Sequence, residues 1–276
     1  MVALSAVAEW LLLPPSFDGE SVALSANAVE SYSTCPMKFK LQRDWQVPGE
    51  IAAALQFGNA IHTVLRSYYS PKAGSEPMSL EDVIEAFTAK FDTPIVEDPT
   101  QRKLYLERGV NELRALLSEQ PRGSVDVIDA EVGFTFVLNG RQVRGRIDRL
   151  DRIDGNRVRV VDYKTGAPKT QDYADGSLQL SIYSMAAAKM GFDPAELVFI
   201  NLQDNESVIT RRTPVQLTRA EQKIQEAADG MAAGRFDPKP GPHCRWCDYI
   251  KLCPATEQHV HVPANGTHAE KAPPGR

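Results

Sequence analysis

Gly145-Arg146-Ile147-Asp148 and Val160-Val161-Asp162-Tyr163-Lys164-Thr165-Gly166 decide how the rest of the chain reads. As two adjacent β-strands, these stretches put two carboxylates and one lysine on a common face. Side chains alternate sides along a strand. Val158, Val160, Asp162 and Lys164 therefore share one face, while Arg157, Arg159, Val161 and Tyr163 share the other. A strand that buries two valines and then turns an acid and a lysine to the same side carries polar groups where apolar ones would pack better. Taken alone, such an ending is a surface ion pair of small energetic value. The surrounding sequence changes that reading.

Period-two patterning extends over Val125–Leu138, Gln142–Ile153 and Arg157–Lys164. It is interrupted at Asn139-Gly140 and Asp154-Gly155, dipeptides that favour tight hairpins. A helix over Leu178–Met190 follows, then strands near Leu197–Leu202 and Ser207–Arg212. Thr218-x-x-Glu221 reads as a capping box that opens a further helix to about Ala233. Upstream, Ser25 caps a helix to Thr34 that Cys35-Pro36 ends, and Met37–Trp45 forms a second. Ala52–Tyr69 is a third, with Leu55, Ile61, Leu65 and Tyr68 or Tyr69 as its buried stripe. Gly58 and His62, four apart, share one of its faces. Ser79 caps a helix through Phe91, and another spans Gln101–Ser118. Helices, a β-meander, then helix and strands describe a mixed α/β domain.

The 276 residues carry 42% hydrophobic and 24% charged side chains, ordinary for a soluble globular protein. A net charge of −5 argues against a general nucleic-acid coat protein. Between Arg141 and Lys169, however, nine Lys and Arg face four Asp, a local +5. Polyanion contact is thus expected to be local. No phosphate-loop signature of the G-x-x-x-x-G-K-[ST] type occurs, so no nucleotide-driven motor is recognisable. Met1–Leu13 is apolar but lacks the basic residues of a secretory signal, and no apolar run is long enough to span a bilayer. A cytoplasmic protein is expected, with residues 1–21 as a leader and 257–276 as a disordered tail.

Four cysteines fall into one pattern, Cys35 and then Cys244-x2-Cys247-x5-Cys253. In a cytoplasmic chain this points to metal rather than disulfides: a [4Fe-4S] cluster, with zinc as the alternative. Either centre would close a loop of about 208 residues and remove on the order of 5 kcal/mol of unfolded-state entropy. The N-terminal helices would be pinned to the C-terminal segment.

With these pieces assembled, the chain resembles the PD-(D/E)XK nuclease superfamily, in particular RecB-like and AddB-like nucleases with an iron–sulfur staple, a group related to CRISPR-adaptation exonucleases. The residues that carry the resemblance run in order: Leu24-Ser25 to Cys35-Pro36, Gly58-Asn59-Ala60-Ile61-His62, Gly145–Asp148, Val161–Gly166, Gln179-x3-Tyr183 and the last three cysteines. It covers residues 22–256 as one nuclease domain.

The resemblance implies a restriction-endonuclease-like fold, a mixed β-sheet flanked by helices, with the N-terminal helices tethered to the C-terminus by the metal cluster. It also implies a Mg²⁺ or Mn²⁺ site formed by His62, Asp148, Asp162 and the Tyr163 carbonyl. Lys164 would act beside the attacked phosphate, with Gln179 and Tyr183 contacting phosphate or water. Arg146 would bind DNA, or serve as a counter-ion to the acids. Glu131 is either an accessory acid or the partner of a strand arginine. The expected activity is metal-dependent hydrolysis of DNA, most simply as an exonuclease in repair or recombination, beside a helicase or recombination partner and away from membranes. Two rival readings are a DNA-binding subunit without catalysis and an iron–sulfur or zinc protein without nuclease activity.

Overall fold

The computed structural model describes residues 15, 17–44, 53–70, 78–91 and 98–255. Among the described residues, five helices precede the sheet: α1 (Ala26–Thr34), α2 (Pro36–Asp44), α3 (Ala53–Tyr69), α4 (Leu80–Phe91) and α5 (Pro99–Glu119). Ser25 caps α1 by accepting from Ala28 N–H, and Asp98 caps α5. The meander follows as β1 (Asp126–Leu138), β2 (Arg141–Asp154) and β3 (Arg157–Lys164). Its first turn is Asn139-Gly140, with φ of 49° and 79°, a conformation Asn and Gly tolerate best. The second turn lies one residue later than expected. Asp154 pairs with Arg157, which leaves Gly155-Asn156 as the connection.

β3 then runs parallel to β4 (Asp193–Asn201), so the chain must cross over between them. The crossover is made by α6 (Gln171–Gly176) and α7 (Leu178–Lys189). β5 (Glu206–Thr210) returns antiparallel to β4 and completes a five-stranded mixed sheet in the order β1-β2-β3-β4-β5. α8 (Pro214–Ala232) follows, and two short 3₁₀ turns, Pro242–Trp246 and Ile250–Leu252, hold three of the cysteines or adjoin them.

The alternation along β3 holds as expected and feeds two cores. Val158 and Val160 pack with Val29 of α1, Leu180 and Ile182 of α7 and Ile224 of α8. Val161 and Tyr163 face the opposite way, toward Phe57, Ile61 and Leu65 of α3, Phe87 of α4 and Leu113 and Leu116 of α5. Each such side chain, fully buried, contributes about 1.5–3 kcal/mol. Helices therefore cover both faces of β3.

Two local expectations fail for identifiable reasons. Leu55 is 57% exposed; the buried stripe of α3 is Phe57, Ile61, Val64, Leu65, Tyr68 and Tyr69, and Leu55 lies about 200° around the helix from Phe57. Thr218 does not open α8. The helix begins at Pro214 under a Thr213–Gln216 capping box, and the Thr218 hydroxyl donates back to Pro214 O at 3.1 Å. Helix α6 was not expected.

The two ends of the described chain pack together. Tyr32 OH donates to Arg235 O at 2.6 Å, Phe39 and Phe236 stack at 6.5 Å, and Gly230 leaves no room for a Cβ beside the Tyr32 ring. Cys35, Met37, Leu41 and Tyr249 form a small separate apolar cluster with Cys247 against it. Among the described residues, no helix is long and apolar enough to cross a membrane. Trp45, the expected tail and most of the expected leader lie outside the described residues.

Candidate metal and phosphodiester site

The site lies where β2 and β3 part. Their ladder runs from Asp154↔Arg157 to Arg149↔Val161 and ends there. Beyond that point β3 continues beside β4, and β2 exchanges backbone hydrogen bonds with Leu24 instead, through Gln142 O and Arg144 N–H. A strand that leaves its ladder exposes backbone donors that need partners. The Tyr163 N–H finds the Asp148 carboxylate, with Oδ2 at 2.8 Å. The same oxygen lies 3.3 Å from His62 Nδ1.

α3 delivers His62 from the opposite core. One turn earlier, Gly58 lets the helix come close to the segment after Lys164, since a Cβ there would stand 3.0 Å from Thr165 Oγ1. The His62 ring meets that of Tyr163 edge-on at 6.1 Å. Burial works against the His62 imidazolium. The hydrogen bond and charge of Asp148, with Asp162 and Glu131 behind it, outweigh that and raise its pKa to about 9.

Glu131 enters from β1. The register passes from Ala130↔Arg149 to Val132↔Ile147, and Glu131, opposite Asp148, adopts φ of 58°. A left-handed residue in mid-strand costs on the order of 1–3 kcal/mol. The bend brings its carboxylate among the others: ligand atoms of His62, Glu131 and Asp148 all lie within 4.8 Å of one another. Glu131 Oε2 also accepts from Arg146 Nη1 at 2.6 Å, with Arg66 Nη1 at 3.9 Å. Of the two roles that the sequence left open for Glu131, partner of a strand arginine is the one seen, with Arg146.

Asp162 and Lys164 share the α7 side of β3. Asp162 is 2% exposed, and its pKa is raised to about 6 by burial and by the Asp148 charge, against the pull of Lys164. Lys164 Nζ stands 2.7 Å from Asp162 Oδ2, an ion pair without hydrogen-bond geometry, which leaves that buried oxygen without a hydrogen-bond partner. The ammonium donates instead to Gln179 Oε1 at 2.8 Å and lies over the Phe199 ring. Gln179 Nε2 in turn donates to Tyr183 OH at 2.9 Å. Burial and the nearby acids push the Tyr183 hydroxyl well above its ordinary pKa, so it stays neutral.

Supporting residues without a visible sequence signal surround this group. Arg149, 1% exposed, sits within a polar knot on the α3 side. Its guanidinium donates to Asp151, Tyr163 OH and Gln120 Oε1 and lies 4.4 Å from the Tyr69 ring centre. Arg108 donates to Thr165 O at 2.6 Å, and Asn201 brackets the backbone of Lys169 through two hydrogen bonds. Together they fix the loop after Lys164. Beside the acids, an open groove of about 670 Å³ is bordered by Ser25, Phe134, Thr135, Arg144 and Arg146.

The cysteines are not joined in disulfides, and Cys35 and Cys244 are buried while Cys247 and Cys253 are half-buried. Backbone N–H groups of Lys239 and Gly241 donate to Cys35 Sγ (3.5 Å) and Cys244 Sγ (3.4 Å). Burial pushes the Cys247 and Cys253 thiols up, and the neighbouring thiols, Cys35 and Cys244 among them, add to this.

A family model described as the PD-(D/E)XK nuclease superfamily matches residues 23–254. The chain belongs to that superfamily. PD-(D/E)XK nucleases hydrolyse phosphodiester bonds with a divalent cation, and the donors here suit one. They are an imidazole and two carboxylates in mutual reach, with a third carboxylate, Asp162, buried on the adjoining strand and ion-paired with Lys164. The chain is similar to the "Gene 69 protein" of Mycobacterium phage D29, 27% identical over 270 residues, covering 83% of this chain and 96% of that one. A "Gene 69 protein" of Mycobacterium phage L5 is 26% identical over 288 residues, with coverage of 83% and 95%. The crystal structure of a "Putative exonuclease" from Eubacterium rectale shares the fold, with a TM-score of 0.50 at 11% identity over 91% of this chain and 92% of that one.

Of the residues the superfamily resemblance implied, His62 and Asp148 come together, with Glu131, while Asp162, Lys164, Gln179 and Tyr183 form a second set of contacts on the α7 side; the Tyr163 N–H, which donates to Asp148, links the two. Arg146 is bonded to Glu131.

Proposed function

We propose that this chain is a Mg²⁺- or Mn²⁺-dependent deoxyribonuclease that acts as an exonuclease on DNA in repair, recombination or related end processing. The observation that carries this reading is the grouping of His62, Glu131 and Asp148 where β2 and β3 part, next to the Asp162–Lys164 pair of β3. A divalent cation there would polarise the phosphate and make a bound water more acidic. His62, Asp148 and Asp162 would hold it, with the Tyr163 carbonyl as a further ligand. Lys164, kept in place by Gln179, would stabilise charge that develops on the phosphate oxygens, and Tyr183 would hold Gln179. Arg144 and Arg146 would meet DNA phosphates along the groove, which makes binding salt-sensitive. The chain would act in the cytoplasm beside a helicase or recombination partner.

We also infer that Cys35, Cys244, Cys247 and Cys253 bind a [4Fe-4S] cluster that staples the terminal segments. The two N–H to sulfur hydrogen bonds support this, since such bonds accompany thiolate ligands. Zinc is the alternative, and the iron and sulfide content of anaerobically purified protein separates the two.

The test uses end-labelled single- and double-stranded DNA with Mn²⁺, Mg²⁺ or chelator, beside Asp162→Ala. Cleavage should require the cation and disappear in the variant while any cluster absorbance persists. Equal cleavage by both proteins would reject the site; binding of DNA without cleavage under any cation would favour a non-catalytic subunit.

A further inference from the structure

Glu131 is the acid in this site that the sequence pattern did not assign, and its setting is unusual in three independent ways. Its backbone is held at φ of 58° in the middle of β1. Its carboxylate is within reach of both His62 and Asp148. That same carboxylate is clamped by Arg146 at 2.6 Å, and the Arg146 side chain is 61% exposed beside the open groove. A strained backbone persists only where the surroundings over-determine it. A solvent-facing arginine pair is a weak reason, since exposed ion pairs contribute little.

We propose that Glu131 is a conditional metal ligand, held by Arg146 while the groove is empty and released to the cation when a DNA phosphate draws the guanidinium away. Arginine matches phosphate as well as carboxylate in its bidentate geometry, so the exchange keeps the guanidinium satisfied. The freed Glu131 then completes a donor set with His62 and Asp148. Metal and DNA therefore bind cooperatively, and linkage requires each to tighten the other by the same factor. Without DNA, the cation meets a site that lacks one carboxylate, which restrains metal uptake until substrate is present. This rests on the nuclease reading and adds the order in which the site is completed.

The experiment measures Mn²⁺ binding by calorimetry, without turnover, in the presence and absence of a single-stranded phosphorothioate oligothymidylate. Wild type, Glu131→Gln, Arg146→Gln and Asp148→Asn are compared, with melting and circular dichroism as controls for folding. In wild type the oligonucleotide should raise Mn²⁺ affinity about tenfold, within the usual range of coupling between sites. Phosphate in contact with the metal couples the two in any variant. The share lost equally in Glu131→Gln and Arg146→Gln is the share carried by the exchange.

Arg146→Gln should also bind Mn²⁺ several-fold more tightly than wild type when DNA is absent, a result that a merely structural role for the arginine would not give. Arg146 is exposed, so this variant tests the idea even if Glu131→Gln fails to fold. Identical coupling in wild type and Arg146→Gln, or no gain in its DNA-free affinity, would overturn the proposal. If Asp148→Asn also leaves Mn²⁺ binding unchanged, the fault lies with the metal site itself and not with Glu131 alone.

Discussion

Replacing Arg149 by Met tests whether the polar knot behind β3 is structural support for the site. The guanidinium is 1% exposed and its partner Asp151 is 3% exposed. It lies 2.9 Å from Asp151 Oδ1, and it donates to Tyr163 OH at 2.8 Å and Gln120 Oε1 at 2.9 Å. Met keeps most of the aliphatic stem but leaves Asp151 without its counter-ion. Burial already pushes the Asp151 carboxyl up, and the Arg149 charge is the chief force opposing that. Removing one partner of a buried pair costs about 3–5 kcal/mol. At about 2–4 °C per kcal/mol for a domain of this size, the melting temperature should fall by roughly 6–20 °C. Converting Asp151 to Leu in the same chain removes the orphaned charge, so the double variant should regain much of the loss, as apolar replacements of buried pairs often do. Urea denaturation of wild type, both single variants and the double variant closes the cycle. A loss under about 1 kcal/mol in Arg149→Met, or a double variant no more stable than the single, would show that the knot does not hold the fold. Tyr163 is flanked by Asp162 and Lys164, so single-turnover cleavage at low temperature should also fall in Arg149→Met.

Three further outcomes follow from the same geometry. Lys164→Met should reduce cleavage by about 10²–10⁴-fold yet tighten Mn²⁺ binding, because Asp162 loses the ammonium 2.7 Å away; weaker metal binding in calorimetry would count against that. His62 keeps its proton to about pH 9 and must lose it to bind a metal, so Mn²⁺ affinity should rise about tenfold per pH unit between pH 6.5 and 8.5. In the metal-free protein the sign is opposite: the stabilisation from the raised His62 pKa is complete below pH 6.5 and disappears as pH climbs through about 9, which urea midpoints will report. A flat metal affinity over that range would refute the assignment of His62. Gly109→Ala drives a Cβ into the Phe87 ring and to 3.0 Å from Phe57, so it should cost about 1–3 kcal/mol by denaturant titration with little change in metal affinity.

The fold was legible wherever local chemistry dominates. Alternation from Val158 to Lys164 predicted which residues of β3 face each core, and Asn139-Gly140 predicted the first hairpin. The Thr213 cap was misread because Thr218-x-x-Glu221 matches the same pattern five residues later, and only Pro214 at the first helical position separates them. Leu55 was misjudged because an apolar residue near a helix start fits more than one stripe. At the candidate site, family motifs named His62, Asp148, Asp162 and Lys164; the first two meet in one place, and the last two pair on the adjoining strand. Arg149, Arg108 and Asn201 were not, since their partners lie far away in sequence, as with Arg108 and Thr165. Glu131 was left open because nothing in its neighbours signals a left-handed backbone in mid-strand.

Ser25, in the wall of the groove, is the cap of α1, whose Tyr32 hydroxyl donates to Arg235 O and which packs against α8. Tyr32 and Arg235 lie 203 residues apart in sequence, so this border is settled only after α8 has been made. A chain halted before Arg235 would carry Asp148, Asp162 and Lys164 in order yet have no settled wall against which to hold a DNA strand.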